Sequence, residues 1–152
     1  MAASVGSPAP DFTLPDTAGE PVSLADLKGR KALVVFMPFP FTGNCDGEAC
    51  ALRDGLADLN DLDASVVVIT CTPRFSNAEW AKQNGFEFPV LSDYWPHGAV
   101  ATAYGAFNDE VGAANRATYV LDADGVVREI IATDSLGITR EYDEYLAALG
   151  RI

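Results

Sequence analysis

A continuous apolar run at residues 32–37, followed within a few positions by a helical pattern, limits the fold of this chain more than any other feature. A run without polar alternation predicts a strand that is buried on both faces. Pro38 and Pro40 end it, because proline has no N–H group for the strand ladder. Residues 65–71 form a second run of the same kind beyond the helical segment. A helical crossover joins parallel strands, so the two runs predict a parallel core for a sheet flanked by helices.

Two turn-rich segments predict antiparallel additions to that sheet. Residues 11–14 and 21–24 flank a polar turn and indicate an N-terminal β-hairpin. Residues 116–121 and 126–131, joined through an Asp-Ala-Asp-Gly turn, indicate a second hairpin of antiparallel edge strands. The fold class predicted is therefore α/β, with a central mixed sheet compatible with a thioredoxin-like layout.

The remaining elements are predicted from caps and periodicity. Ser76 and Glu79 have the spacing of a capping box for a helix that Gly85 ends. Residues 99–104 predict a short helix ended by Gly105, and residues 107–115 predict a loop. A last helix presents apolar side chains at helical spacing, namely Tyr142, Tyr145, Leu146 and Leu149.

Length and charge narrow the class of protein. The 152 residues, 49% of them hydrophobic, suit one domain over residues 1–152. The chain has no apolar stretch of about 18 residues and no apolar N-terminal leader, so we expect a cytoplasmic protein without a membrane span. A net charge of −12 argues against binding to nucleic acid or to an anionic membrane.

Three cysteines point to thiol chemistry. They are too few for a disulfide framework in a reducing compartment, which favours catalytic or redox use. The only histidine is His97 and there is no C-x-x-C pair, so we do not expect a zinc site. Cys71 ends an apolar strand and is predicted to be a small buried hydrophobe.

Cys45 lies where a buried strand gives way to the first turn of a helix. Unpaired backbone N–H groups and the helix dipole favour a thiolate there, which makes Cys45 a candidate nucleophile on the inward face. Asp46 and Glu48 add negative charge to the same turn, so a cation must come from elsewhere. Arg116, at the start of a core strand, is the best-placed candidate, although a plain surface cation is an alternative. Thr42 either caps the helix or presents its hydroxyl to a ligand.

Four separated stretches carry a resemblance to the peroxiredoxin family over nearly the whole chain. They are residues 6–14 (GSPAPDFTL), 38–45 (PFPFTGNC), 88–98 (FPVLSDYWPHG) and 115–122 (NRATYVLD). The WPHG stretch makes the chain most similar to the alkyl hydroperoxide reductase E type of actinobacteria. The resemblance implies a thioredoxin fold, a homodimer, and reduction of hydrogen peroxide, organic hydroperoxides or peroxynitrite without a cofactor.

The resemblance also implies roles for single residues. Cys45 would be the peroxidatic thiolate that becomes a sulfenic acid. Thr42 would hydrogen-bond the peroxide, and Arg116 would stabilise the thiolate and the peroxide oxygen. Pro38 would shield the site, and Glu48 would orient Arg116. The reductant would be thioredoxin, a glutaredoxin-like protein or a low-molecular-weight thiol.

Cys50 departs from the one-cysteine E type. Its spacing resembles the peroxiredoxin Q (bacterioferritin comigratory protein) type, in which the second cysteine resolves the sulfenic acid. In an intact helix the Cα atoms of Cys45 and Cys50 are roughly 8–9 Å apart, and a disulfide needs less than about 7 Å. A resolving role therefore requires the helix to unwind, which Gly47 facilitates. An unreactive thiol on a helix flank, nearer to solvent with Asp46 and Arg53, is the alternative.

Three functions stay open at this point. The first is a thiol peroxidase, with either an internal disulfide or a one-cysteine cycle. The second is a thiol–disulfide oxidoreductase, which the absence of C-x-x-C disfavours. The third is a redox sensor without turnover. For His97 we expect a packing or interface role rather than general-base chemistry, and Tyr94 and Trp95 would suit an interface.

Overall fold

A computed structural model of the chain describes residues 2–152, with Cys45 described through its backbone alone. The strands are β1 (Thr13–Pro15), β2 (Pro21–Ser23), β3 (Lys31–Phe36), β4 (Ala64–Thr70), β5 (Val90–Ser92), β6 (Phe107–Asn108), β7 (Ala113–Ala114), β8 (Ala117–Leu121) and β9 (Val127–Ala132). The helices are α1 (Gly43–Asp54), α2 (Leu56–Asp61), α3 (Arg74–Asn84), α4 (Ala99–Tyr104) and α5 (Tyr142–Gly150), with a 3-10 turn at Leu24–Leu27.

The central sheet has the strand order β5-β4-β3-β8-β9. Strands β3, β4 and β5 are parallel, whereas β8 pairs antiparallel with both β3 and β9. This confirms the mixed α/β sheet and the N-terminal hairpin, which is β1 paired with β2. The prediction that both strands of the late hairpin are edge strands was wrong for β8. It lies beside the central β3, because its five residues are all buried and need cover on both sides.

Alternate side chains of the central strand pack into two cores, one on each face of the sheet. Val34 and Phe36 join a core under the N-terminal hairpin and α4 that includes Tyr104. Leu33 and Val35 join the opposite core, which is covered by the other helices and contributes Trp80, Leu52 and Leu149. Each of these side chains is at most 1% exposed, so β3 and the start of α1 rest on a well-packed support.

Two local predictions differ from the structure. Helix α3 begins at Arg74 rather than after a capping box at Ser76, because the Pro73 carbonyl already accepts hydrogen bonds from the Ser76 and Asn77 N–H groups. The loop predicted at 107–115 contains the antiparallel pair β6 and β7, whose strands of two residues are too short to leave a periodic pattern.

The predicted helix after Gly43 is divided at Gly55 into α1 and α2. A side chain at Gly55 would overlap the phenol group of Tyr142 in α5. Tyr142 also donates a hydrogen bond to the Gly55 carbonyl at 2.8 Å. The division therefore lets α5 pack closely against the end of α1.

In the described part of the chain no helix combines the length and the apolar character needed to cross a membrane.

Candidate active site

The segment between β3 and α1 turns the chain sharply into the helix. Pro38 is buried, and Phe41 has a φ of 68°, in the left-handed region that a bulky residue rarely adopts. Thr42 is the N-cap residue, but its side chain makes no capping hydrogen bond. Its hydroxyl donates instead to the Phe39 carbonyl at 2.8 Å. The Thr42 side chain therefore does not cap the helix, which was one of its two predicted roles. Its oxygen still has lone pairs that can accept a hydrogen bond from a ligand, which was the other.

A cavity of about 400 Å³ opens at the N-terminus of α1. Its lining includes three residues predicted for the site, Pro38, Thr42 and Arg116. The other lining residues are Phe39, Gly43, Asn44, Leu136 and Gly137. The sheet brings them together because Arg116 directly precedes β8, which pairs with β3, and the start of β8 lies beside the end of β3.

A larger cavity, about 470 Å³, lies between the N-terminal region and the start of β4, with Leu27, Arg30 and Phe88 among its lining residues. Its lining includes no described residue of the first turn of α1. The smaller cavity borders Gly43 and Asn44, which directly precede Cys45 in the chain, and is therefore the better candidate for thiol chemistry.

Glu48 lies one turn further along α1 and is buried between two arginines. Its Oε1 accepts hydrogen bonds from Nη1 of Arg116 at 2.5 Å and from Nη2 of Arg140 at 2.8 Å. Its Oε2 accepts from Nε of Arg140 at 2.9 Å and from the Arg140 backbone N–H at 2.7 Å. Nε of Arg116 donates to the Leu136 carbonyl at 2.6 Å. Arg116 is thus held by a carboxylate on one side and a carbonyl on the other.

The charges of this cluster favour an anion nearby. Burial raises the pKa of Glu48, but hydrogen bonds and charge from Arg140, followed by charge from Arg116, outweigh it, so the net pKa lies below its ordinary value. Glu48 is therefore ionised, and one carboxylate between two guanidinium groups leaves a net charge of plus one. The acid that the sequence places one turn after Cys45 is thus paired with two cations, one of which, Arg116, lines the cavity.

Arg140 is the residue of this site that the sequence did not reveal. It lies in the irregular segment before α5, where neither spacing nor a motif distinguishes it from a surface cation. Its 6% exposure and its contacts with Glu48 emerge only when α5 folds against α1.

Cys45 is the third residue of α1, in the first turn of the helix. This backbone position is the predicted one. The prediction that its side chain points along the inward face of the helix lies outside the described residues.

The other flank of α1 contacts α3. Oδ1 of Asp46 accepts a hydrogen bond of 2.6 Å from the indole N–H of Trp80. The Cys50 thiol lies 3.7 Å from Oδ1 of Asn84, and Nη1 of Arg53 donates to the Asn84 carbonyl at 2.8 Å. Asp46, Cys50 and Arg53 are all half-buried, which confirms that this stripe lies nearer to solvent than the core face.

The other predicted residues lie apart from this cluster. Cys71 is buried, and burial together with the charge of Asp93 raises its pKa to about 12, so it stays a thiol at neutral pH. The ring nitrogens of His97 lie 3.1 Å from the Tyr94 carbonyl and 2.7 Å from the Gly112 carbonyl, a packing arrangement between loops. Trp95 is 82% exposed.

Outside Met1 and the Cys45 side chain, no group of three or more histidine, cysteine or acidic side chains is placed to hold an ion.

Both the sequence and the fold of this chain are similar to those of known proteins. The pattern of the AhpC/TSA family matches residues 5–130. The chain is 44% identical over 149 residues to alkyl hydroperoxide reductase E of Mycobacterium tuberculosis, covering 96% of this chain and 97% of that protein. It is 36% identical over 145 residues to the chloroplastic peroxiredoxin Q of Sedum lineare, covering 95% and 76%. The crystal structure of peroxidoxin BcpB from Mycobacterium tuberculosis superposes with a TM-score of 0.88 at 32% identity, covering 99% and 98%.

Proposed function

This chain belongs to the AhpC/TSA family and is a thiol-dependent peroxidase of the peroxiredoxin type with a thioredoxin-like fold, and we propose that Cys45 is its peroxidatic nucleophile. Its substrates are a hydroperoxide and a thiol reductant. The observation that carries the proposal is the meeting of Pro38, Thr42 and Arg116 around one cavity at the N-terminus of the helix that contains Cys45. No other cysteine of the chain has that placement.

The reaction begins with attack of the Cys45 thiolate on the terminal oxygen of the hydroperoxide. An S–O bond forms as the O–O bond breaks, so the sulfur is oxidised to a sulfenic acid and the peroxide is reduced. The electron pair of the broken bond leaves on the second oxygen, which takes a proton to become water or an alcohol. Such a step needs a thiolate and hydrogen-bond donors placed where the leaving oxygen becomes negative.

The neighbouring residues have distinct roles in that step. Arg116 stabilises the thiolate and the departing oxygen, and Glu48 fixes the direction of its guanidinium through the 2.5 Å ion pair. Thr42 accepts a hydrogen bond from the peroxide, because its own hydrogen is donated to the Phe39 carbonyl. Pro38 is buried at the cavity wall and limits the access of water and of further peroxide.

Cys50 completes the cycle as the resolving thiol. Its sulfur attacks the sulfenic sulfur, an S–S bond forms, and the hydroxyl group leaves as water after taking the proton of the Cys50 thiol. The two residues lie in one continuous helix, so the first turns of α1 must unwind before the sulfurs can meet. An external dithiol, either thioredoxin or a glutaredoxin-like protein, or a small thiol then reduces the disulfide.

Replacement of the nucleophile tests the central assignment. Cys45→Ser should abolish peroxide consumption in the presence of dithiothreitol, whereas Cys71→Ser should retain it, since Cys71 is buried with a raised pKa. Retained consumption in Cys45→Ser would overturn the assignment.

The resolving role has a separate test. After one equivalent of hydrogen peroxide, the intact mass should fall by two hydrogens in the wild type and rise by one oxygen in Cys50→Ser. A stable gain of one oxygen in the wild type would instead establish a one-cysteine cycle. A redox sensor would also be oxidised by one equivalent of hydrogen peroxide. It would not, however, consume further peroxide when thioredoxin, a glutaredoxin-like protein or a small thiol is added.

A homodimer of single-domain subunits in the cytoplasm is the assembly that we propose. Strands β3, β4 and β5 are parallel, so the segments that follow them lie at one edge of the sheet. These segments carry exposed aromatic side chains, namely Phe39, Phe41, Phe75, Tyr94 and Trp95. Aromatic residues of this kind are enriched at protein interfaces, and covering them beside the cavity would shield the site. Trp95→Arg should shift the protein to the monomer in light scattering.

A further inference from the structure

A chain of buried polar contacts continues beyond Glu48 to the last helix. Nη1 of Arg140 donates a hydrogen bond to Oγ1 of Thr118 at 3.1 Å. The same Thr118 oxygen lies 3.0 Å from the hydroxyl oxygen of Tyr145. Thr118 is 0% and Tyr145 is 3% exposed, so both hydroxyls are removed from water and depend on these partners.

We propose that Thr118 and Tyr145 are positioning residues for the peroxidase reaction, acting on Arg116 through Arg140 and Glu48. This inference rests on the proposed function, because it concerns how that reaction's cation is held. It goes further because it adds residues of β8 and α5 to the site. Of the site residues predicted from the sequence, Arg116 directly precedes β8 and none lies in α5.

Each contact in the chain fixes the next one. The Arg116 guanidinium is oriented by Glu48, and the Glu48 carboxylate receives three of its four hydrogen bonds from Arg140. Nε and Nη2 of Arg140 are used on that carboxylate, and Nη1 reaches Thr118. The plane of the Arg140 guanidinium is thus set at both ends. A rotation that released Thr118 would also displace the carboxylate that orients Arg116.

The order of donation follows from the chemistry of the groups. Arginine is a donor without an acceptor, so the Thr118 oxygen accepts from Arg140. The Thr118 hydrogen is then available to the Tyr145 oxygen. Burial raises the pKa of Tyr145, which therefore remains a neutral phenol and adds no charge to the cluster. Hydrogen bonds in such a buried series strengthen one another.

Backbone placement supports the same link. Thr118 lies two residues before Val120 along β8, and Val120 belongs to the core on the side of α5, so the Thr118 side chain leaves that face of the sheet. Arg116, just before β8, reaches Glu48 of α1. Tyr145 comes from α5, which packs on the same face as Thr118. Helix α5 thereby influences the geometry of the cavity, although none of its residues lines that cavity.

Removal of single hydroxyl groups tests the proposal. Tyr145→Phe and Thr118→Val should each lower kcat/KM for hydrogen peroxide about three- to tenfold. Thr118→Ser keeps the hydroxyl group and should therefore retain the kcat/KM of the wild type. The rate constant for reduction of the oxidised enzyme by dithiothreitol should not change. A loss of folded protein would lower both rates equally, so the two measurements separate positioning from stability.

Tyr142→Phe is the matched control. It also removes one phenolic hydrogen bond from α5, to the Gly55 carbonyl, but it lies outside the chain of contacts to Arg140. Its kcat/KM should stay within about twofold of the wild type. An equal loss in Tyr142→Phe and Tyr145→Phe would overturn the proposal, and so would unchanged peroxide kinetics in Tyr145→Phe.

A double variant tests whether the effect passes through Arg140. Lysine in Arg140→Lys keeps the charge but loses the guanidinium fork. Tyr145→Phe should then change kcat/KM by less than about twofold in that background. A full additional loss there would show that Tyr145 acts by another route. An error in the proposed function itself would give a different result from an error in this proposal. It would appear as peroxidase activity in Cys45→Ser, whatever the kinetics of Tyr145→Phe.

Discussion

The two flanks of helix α1 are held in different ways. On one flank Glu48 is 7% exposed and joined to two arginines that are 3% and 6% exposed. On the other flank Asp46, Cys50 and Arg53 are half-buried and reach α3 through single hydrogen bonds. The first flank resists rearrangement because any movement would strand a charge in the interior. The second can open into water at a lower cost.

This difference suits the two halves of the proposed cycle. Attack on a peroxide needs a cation that does not move, and the buried flank supplies one. Formation of a Cys45–Cys50 disulfide needs the first turns of the same helix to unwind, and the flank that carries Cys50 is the less firmly held. Glu48 lies between the two cysteines, so the resolving step has to open the helix on the Cys50 flank while the ion pairs of Glu48 hold the other flank.

The largest expected effect comes from removing the centre of the buried flank. Glu48→Ala leaves Arg116 and Arg140 buried without their carboxylate, and it should lower the free energy of unfolding by about 3–5 kcal/mol. The control is Glu129→Ala, which removes a solvent-exposed pair with Arg151 and should cost about 0–1 kcal/mol. Urea denaturation followed by circular dichroism measures both. Equal losses would contradict the contrast between the flanks.

Next in size is the loss of the positioned cation. Arg116→Met removes a donor for the developing negative charge, and kcat/KM for hydrogen peroxide should fall on the order of 100-fold. Arg53→Met makes the same change on the other flank and should alter it by less than about twofold. Stopped-flow measurement of peroxide reduction compares them. A large loss in Arg53→Met would mean that the chemistry is not confined to the buried flank.

Acid should weaken the buried flank selectively. The pKa of Glu48 is lower in the folded protein than in the unfolded chain, so its contribution to stability is complete above the unfolded pKa of about 4.3. It is lost as the pH falls through the lower, folded pKa. Glu48→Gln lacks this contribution, and its melting temperature should converge toward that of the wild type in acid. A constant difference across the titration would contradict the assignment.

The smallest expected effect concerns the flank that opens. Apart from the backbone of its own helix, no atom of the described residues lies within 4 Å of the new Cβ in Gly47→Ala, which strengthens the intact helix by about 1 kcal/mol. Disulfide formation after peroxide treatment should slow about fivefold, as followed by quenched-flow mass spectrometry. Gly150→Ala in α5 also has open space and should leave the rate unchanged. An unchanged rate in Gly47→Ala would argue against unwinding as the slow step.

Local pattern was sufficient for much of this molecule. The apolar runs predicted β3 and β4, and glycine spacing predicted the ends of α3 and α4, because these features depend on neighbouring residues. The resemblance also implied that Pro38, Thr42 and Arg116 belong to one site, and the three line one cavity. The position of β8, which follows Arg116, was not predicted, because its pairing with β3 joins strands far apart in the sequence.

Contacts between residues far apart in the chain could not be predicted from local sequence patterns. Glu48 and Arg140 are 92 residues apart in the chain, and Arg140 lies in an irregular segment without periodicity. Thr118 and Tyr145 looked like ordinary strand and helix residues, and only packing turned their hydroxyls toward each other. The capping-box prediction failed for a local reason, since the helix begins earlier and the Ser76 and Asn77 N–H groups bond to the Pro73 carbonyl.

The most direct test uses the Cys50→Ser, Cys71→Ser double variant, in which Cys45 is the one remaining cysteine. One equivalent of hydrogen peroxide, followed by a sulfenic-acid trap such as dimedone and peptide mass mapping, reports whether that residue is oxidised. We expect one trapped sulfenic acid per chain, located at Cys45, and none in Cys45→Ser. An unmodified Cys45, or a trapped sulfenic acid in Cys45→Ser, would contradict the account.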